Sequence, residues 1–151
     1  MFEQNPVIIG GCYCGKTRYQ TTGPIYGLTF CYCLMCQLVH GGPFAPFTNV
    51  KKEHFQWIRN EDLVEMKLSE IATRTVCGAC HSPITMEYHA RPEELGIVAV
   101  TVDESRSSMR IPEVEGHIFV KRKPAWFTIG DGAKQEMGIP ERMKGYIPDG
   151  L

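Results

Sequence analysis

The sequence predicts a mainly β fold, a single small domain built from short antiparallel strands. Short stretches rich in β-forming residues recur along the chain, with turn residues between them. The 151 residues include 15 glycines and 10 prolines, as expected where turns join many short elements. No stretch has the length and the 3.6-residue periodicity of a helical layer. These observations favour a barrel-like or sandwich-like arrangement of strands.

Each predicted strand alternates polar and apolar residues or is rich in β-branched and aromatic ones. In chain order, the predicted strands are residues 17–21, 28–30, 63–68, 72–76, 84–88, 96–102, 117–120 and 126–129. The stretch 96–102 is the most apolar and predicts a central strand. Residues 72–76 and 84–88 flank a pair of cysteines and predict a hairpin.

Helical signals are weak and confined to single turns, at residues 36–40 and 92–95. From Gly130 onward the chain has five glycines and little periodicity, which predicts an irregular tail on the surface. We therefore expect one domain over residues 1–151, with a core at about 6–129 and a surface tail at 130–151. Both tryptophans, Trp57 and Trp126, are expected to fill the core because aromatic side chains dominate burial.

Composition also limits the class of protein and its partners. The chain has 16 basic and 17 acidic residues, a net charge of −1, whereas nucleic-acid-binding domains are usually strongly basic. Neither a membrane span nor a signal peptide is visible, because the first apolar run, Val7-Ile8-Ile9, is far too short. We therefore expect a cytoplasmic protein with reduced thiols and neither nucleic acid nor membrane as a partner.

Seven cysteines fall into three groups, and two of these groups complement each other. Cys77 and Cys80 have the Cys-x2-Cys spacing that lets two thiolates converge on one ion. Cys12 and Cys14 are two residues apart, so their side chains share one face of an extended segment. Four thiolates complete a structural zinc site. Unliganded thiols or a disulfide pair are the alternative, and they explain two short-spaced pairs less well.

The remaining group, Cys31, Cys33 and Cys36, has no fourth cysteine. Three protein ligands and one open position are typical of a catalytic zinc site. Alternatively His40, at Cys36-x3-His40, closes a purely structural site, and His54 is a weaker candidate for that role. A redox function of either Cys-x2-Cys pair is less favoured because no βαβ unit is predicted around it.

In this order and spacing, the cysteine motifs resemble the glutathione-dependent formaldehyde-activating family, which also includes the centromere protein V domain. The resemblance extends from about Pro6 to Ile129, and it is carried by Gly10–Gly15, Cys31–Cys36, Cys77–Pro83, His117–Lys121 and Pro124–Phe127. It implies a small, mostly β fold with two zinc ions per chain. By position, the structural zinc would be held by Cys12, Cys14, Cys77 and Cys80, and the catalytic zinc by Cys31, Cys33 and Cys36.

This resemblance also implies an activity, carbon–sulfur lyase chemistry that reversibly joins formaldehyde and glutathione to S-hydroxymethylglutathione. Departures from the family pattern surround the cysteines: Tyr32 stands where a histidine or small polar residue is common, Gln37-Leu38 where basic residues are common, and His81 where glycine is common. The ligands are intact, but the substrate-selecting surroundings are altered. A different small thiol or aldehyde adduct and a non-catalytic zinc module for macromolecular binding therefore remain alternatives.

Further candidates for chemistry follow from residue type alone. Tyr32, His40 and His54 are candidates for acid–base chemistry. Basic side chains that could receive substrate carboxylates are those of Lys16, Arg18, Lys121 and Arg122.

Overall fold

Two β-sheets provide most of the regular structure of residues 5–146, the part of the chain that this computed structural model describes. Strands make up 37% of the structure and helices 13%, so the mainly β prediction is confirmed. Of the predicted single domain, residues 1–4 and 147–151 lie outside the described residues. No helix within 5–146 is both long and apolar enough to cross a membrane.

The smaller sheet has three antiparallel strands, in the order β1-β2-β5. They are β1 (Ile8–Gly11), β2 (Arg18–Thr21) and β5 (Phe55–Arg59). Its inner face is aromatic, because the buried Tyr19 ring stacks on Phe55 at 5.1 Å and meets Trp57 edge-on at 6.4 Å. Trp57 thus packs against the core, as predicted.

The larger sheet has eight strands in the order β11-β10-β3-β4-β9-β8-β7-β6. Their bounds are β3 Tyr26–Cys31, β4 Ala45–Lys51, β6 Leu63–Met66, β7 Ala72–Cys77, β8 Pro83–Tyr88, β9 Glu94–Val98, β10 Gly116–Ile118 and β11 Lys134–Gln135. The pairings from β3 to β6 along this order are antiparallel, as predicted. β10 pairs in parallel with both β3 and β11. Parallel neighbours need a long connection, and residues 119–133 provide one between β10 and β11.

Among residues 5–146 there is one α-helix, α1 (Leu34–His40), which begins three residues after the end of β3 and is longer than the single turn predicted at 36–40. The Cys33 side chain caps its N-terminus by accepting a bond from the Cys36 N–H, and Gly41 ends it with a φ of 68°. Left-handed backbone is favoured by glycine, which makes Gly41 a typical helix stop. Shorter 3-10 turns lie at Lys52–His54, Ala99–Thr101, Val120–Arg122 and Glu141–Met143.

Several local predictions are wrong. Residues 92–95 form no helical turn, because β9 begins at Glu94. The predicted strand 96–102 ends at Val98 and continues as a 3-10 turn. No strand forms at 126–129, where the Phe127 N–H instead closes a turn on the Pro124 carbonyl at 3.2 Å. That turn leaves Trp126 75% exposed, so Trp126 does not fill the core.

Two hydrophobic clusters form the core, and each contains buried cysteines. One includes Cys12 and Cys77 together with Ile8, Tyr19 and Ile97. The other surrounds Cys31 and Cys36 with side chains from several strands, including Ala45, Phe47, Met86, Val98 and Ile118. The core therefore surrounds at least two cysteines of each group, whereas Cys14 is exposed and Cys33 and Cys80 are partly exposed.

The predicted tail is irregular for most of its length, but it also packs on the larger sheet. Within residues 130–146, β11 pairs with β10. Further along, the Tyr146 ring meets Tyr88 edge-on at 5.4 Å and lies 4.7 Å from the Arg91 guanidinium carbon. The tail therefore packs side chains against the larger sheet near the end of β8.

We predict that Ile97→Ala lowers the free energy of unfolding by about 2–5 kcal/mol, because Ile97 is 0% exposed at the centre of the larger sheet. Ile58→Ala is the matched control, since Ile58 is 52% exposed, and it should change stability by about 0.5 kcal/mol or less. Urea unfolding of the metal-loaded protein measures both values. Equal losses for the two variants would contradict this description of the core.

Candidate metal centres

The first centre consists of Cys12, Cys14, Cys77 and Cys80, whose Sγ atoms all lie within 4.8 Å of one another. Cys12 and Cys14 follow β1, and their Sγ atoms are 3.6 Å apart. Cys77 ends β7, and its Sγ lies 3.8 Å from that of Cys14. The fold thus brings together the two cysteine pairs that the spacing predicted to meet.

The hairpin between β7 and β8 is shaped by close backbone contacts. A Cβ at position 78 would lie 2.7 Å from the Asp62 carbonyl oxygen, so Gly78 is required by that close approach. His81 adopts a φ of 64°, in the left-handed region that favours glycine. Its N–H closes the turn on the Cys77 carbonyl at 2.8 Å. The turn therefore keeps its shape although a histidine occupies a position suited to glycine.

Hydrogen-bond donors surround the sulfur atoms of this centre. The Thr17 N–H donates to Cys12 Sγ at 3.3 Å, and the Ser82 hydroxyl lies 3.1 Å from Cys80 Sγ. Desolvation raises the pKa of the Cys80 thiol, but bonds from the Ser82 side chain and backbone outweigh it and lower the pKa to about 5. Donors of this kind stabilise the thiolate form that binds metal.

The second centre consists of Cys31, Cys33 and Cys36, whose Sγ atoms also lie within 4.8 Å of one another. Cys31 ends β3, Cys33 caps α1 and Cys36 lies in its first turn. Contacts with Cys31 and Cys36 lower the pKa of the Cys33 thiol, and contacts with Cys33 and Cys36 raise that of Cys31. Adjacent thiols cannot all ionise without a cation, because like charges repel.

A buried guanidinium, not anticipated from the sequence, accompanies the three thiols. Arg74 on β7 is only 7% exposed, and its Nη2 donates to Cys36 Sγ at 3.3 Å. Arginine is rarely buried without an anionic partner, and thiolates provide one here. The sequence gives one indication of this buried arginine: it is the single charged residue in the otherwise uncharged strand Ala72–Cys77.

Neither candidate histidine joins these groups. The His40 ring packs edge-on against Phe47 at 5.6 Å, and burial lowers its pKa to about 4. His54 lies 3.7 Å from Glu53. Among residues 5–146, the three-cysteine group therefore includes no histidine. Tyr32, the third acid–base candidate, is buried and bonds to His117 rather than to a thiol.

A cavity of about 330 Å³ adjoins the second centre, with Cys31 as part of its wall. Apolar walls come from Phe47, Met86 and Ile118, and polar groups from several segments, including the tail. The basic lining residues are Arg91 and Arg142. The four basic candidates from the sequence, namely Lys16, Arg18, Lys121 and Arg122, are not among the lining residues.

The charged residues of this cavity differ in their pairing. Arg91 forms an ion pair with Glu93 at 2.9 Å and lies 3.8 Å from Glu94. Glu94 also accepts hydrogen bonds from the hydroxyls of Tyr26 and Tyr146. Arg142, by contrast, has no ion pair or hydrogen bond within residues 5–146. The cavity thus offers one guanidinium that is available to an anionic ligand.

Comparison with known proteins agrees with the cysteine geometry. Residues 7–122, well over half of the chain, match the family described as glutathione-dependent formaldehyde-activating enzyme. The chain belongs to this family. Membership supports a general enzymatic role and a metal-binding function for the two cysteine centres.

A solved structure also shares the fold. It is a crystal structure of a Rhodobacter sphaeroides protein from a structural genomics programme, 19% identical in sequence, with a TM-score of 0.55. The similarity covers 64% of this chain and 88% of that protein. No curated protein matches the chain significantly.

Both centres of this family member have a donor set that fits zinc. Thiolate sulfur is a preferred ligand of zinc. The N–H groups and the guanidinium around the sulfur atoms supply the hydrogen bonds that orient such ligands. The residues that would hold the ions are therefore the four and the three cysteines named above.

We predict that Cys36→Ser lowers the zinc content from two ions per chain to one, whereas His40→Asn leaves two. Serine is a poor zinc ligand and removes one of three sulfur atoms, but His40 lies outside the ligand group. Metal analysis of the purified variants measures the content. Loss of one ion from His40→Asn would instead show that this histidine closes the site.

Proposed function

We propose that this protein is a zinc-dependent carbon–sulfur lyase that acts on a thiol–aldehyde adduct such as S-hydroxymethylglutathione. The observation that carries the proposal is the double position of Cys31. It belongs to the three-cysteine centre and also lines the cavity. A molecule in the cavity would therefore lie against one ligand of a centre in which three thiolates leave a coordination position open.

The reaction needs no oxidant or reductant. In the lyase direction the adduct's carbon–sulfur bond breaks, its electron pair stays on sulfur, and the hydroxyl loses its proton as formaldehyde forms. In the reverse direction a thiolate attacks the carbonyl carbon, and the oxygen takes up a proton. When bound at the three cysteines, zinc would supply a position that favours the thiolate form of a substrate thiol. The absence of a dinucleotide-binding motif from the sequence is consistent with this chemistry.

Tyr88 is the candidate donor to the adduct's oxygen. Its ring lines the cavity, and among the described residues no hydrogen-bond partner is found for its hydroxyl. Burial, followed by the charges of Cys31 and Cys36, raises the pKa of Tyr88 far above its usual value. Tyr88 therefore stays neutral and can donate a hydrogen bond to oxygen as negative charge develops there.

Substrate size and charge also fit the cavity. A volume of about 330 Å³ lies at the lower end of the range for small-molecule sites. The unpaired Arg142 can receive a substrate carboxylate. Glu115, which accepts one hydrogen bond from the Thr29 hydroxyl at 3.3 Å, can receive an ammonium group. Glutathione carries both kinds of charge, which supports it as the thiol.

Partner and compartment follow from the same proposal. The net charge of −1 supports a small-molecule substrate over nucleic acid. Reduced thiols are needed for both centres, so the cytoplasm is the proposed compartment.

To test the function, exchange between formaldehyde and its glutathione adduct is followed by NMR with zinc-loaded protein. We expect exchange faster than the spontaneous rate. Tyr88→Phe should lower the turnover number by at least about 10-fold, since it removes one donor to the developing charge. Tyr13→Phe is the control, because Tyr13 is 94% exposed. Exchange no faster than without protein would overturn the proposal for this adduct.

For substrate recognition, we predict that Arg142→Gln raises KM about 10-fold or more and leaves the turnover number unchanged. The side chain contacts a remote carboxylate equally in the ground and transition states, so only binding is weakened. Arg110→Gln is the matched control, an exposed arginine outside the cavity lining. Equal KM values for the two variants would exclude Arg142 as the carboxylate contact.

A further inference from the structure

A buried chain of three polar side chains ends beside the second centre. The Tyr32 hydroxyl lies 2.9 Å from His117 Nδ1, and His117 Nε2 lies 2.9 and 3.0 Å from the two carboxylate oxygens of Asp131. Tyr32 and His117 are almost completely buried, and Asp131 lies at the surface end. Buried polar groups are costly unless each has a partner, and in this chain each does.

The direction of each hydrogen bond follows from the carboxylate. The bond from His117 and a second one from the Ala133 N–H lower the pKa of Asp131, so its oxygens only accept. In the neutral imidazole the proton therefore lies on Nε2, which leaves Nδ1 of His117 to accept from Tyr32. The Tyr32 hydroxyl then donates its proton in the 2.9 Å bond to Nδ1.

Tyr32 connects this chain to the metal ligands, because it stands between Cys31 and Cys33. Its backbone is held on both sides as well: the N–H donates to the Ile118 carbonyl at 3.0 Å, and the carbonyl accepts from Gln37 Nε2 at 2.7 Å. With its side chain bonded to His117, the residue between two ligands has neither a free backbone nor a free side chain.

We propose that Asp131 and His117 are positioning residues that hold Cys31 and Cys33 at the separation a metal ion requires. The inference rests on the metal-binding role proposed for the three cysteines and goes beyond it, because Asp131 lies outside residues 7–122 that match the family. The start of the predicted tail is accordingly part of the centre. In addition, β10, the strand that contains His117, pairs with β3 and places Ile118 opposite Cys31. The backbone of His117 is therefore also linked to the strand that ends at a metal ligand.

The test loads both centres with cadmium and compares variants by ¹¹³Cd NMR and by competition with a chromophoric chelator. We expect Asp131→Ala to lower the metal affinity of the three-cysteine centre about 10-fold, the lower end of the effect of residues that orient ligands. Its cadmium resonance should shift, whereas that of the four-cysteine centre should not. Tyr32→Phe should have the same effect. The double variant should be no worse than either single one, because both break one chain.

Two variants separate positioning from general destabilisation. Asp131→Asn retains an oxygen that accepts from His117 Nε2, so it should keep most of the metal affinity of the three-cysteine centre. It also replaces Asp131→Ala in the comparison if the alanine variant folds poorly. Asp103→Ala is the matched control, an aspartate that also has a lowered pKa but bonds to Ser105. It should leave the three-cysteine resonance in place.

An unshifted three-cysteine resonance in Asp131→Ala, or equal weakening of both centres, would overturn the inference. Because these readouts contain no thiol or aldehyde, they are independent of catalysis. Failure of the exchange assay together with the expected cadmium results would reject the lyase proposal alone.

Discussion

Repulsion between adjacent thiolates is the constraint on which the rest of this structure depends. Two groups of sulfur atoms, each within 4.8 Å, can ionise together only around a cation. The surrounding structure supplies what such groups need: N–H donors in the Cys12 loop, a guanidinium from Arg74, and packed apolar walls. Joining positions 14 and 77 closes a long loop, but the entropic cost of loop closure grows only with the logarithm of the loop length. The free energy of metal binding, about 10 kcal/mol or more, exceeds this entropic cost.

Much of this arrangement could be predicted because the information is local. The spacing of seven cysteines is enough to divide them into four and three, and short alternating stretches located β2, β3, β6, β7 and β8 approximately. Metal-ligand spacing reflects the reach of a few residues of backbone, which differs little between folds.

What could not be predicted depends on long-range pairing. Arg91 and Arg142 line one cavity although 50 residues separate them, and neither belongs to a motif. Trp126 looked like a core residue because its size favours burial, yet a turn closed by its neighbours directs it outward. The parallel course of β10 depends on where a long connection returns, which local periodicity does not encode.

The sulfur atom of Cys33 has two functions that cannot be adjusted independently. It accepts the Cys36 N–H as the cap of α1, and it is one of the three grouped thiols. Seven residues are too few for a helix to persist alone in water, so α1 relies on that cap and on its packing. Serine or aspartate would cap at least as well but bind a soft metal less well. We therefore expect few substitutions to be tolerated at position 33, because the same sulfur atom must both cap the helix and bind the metal.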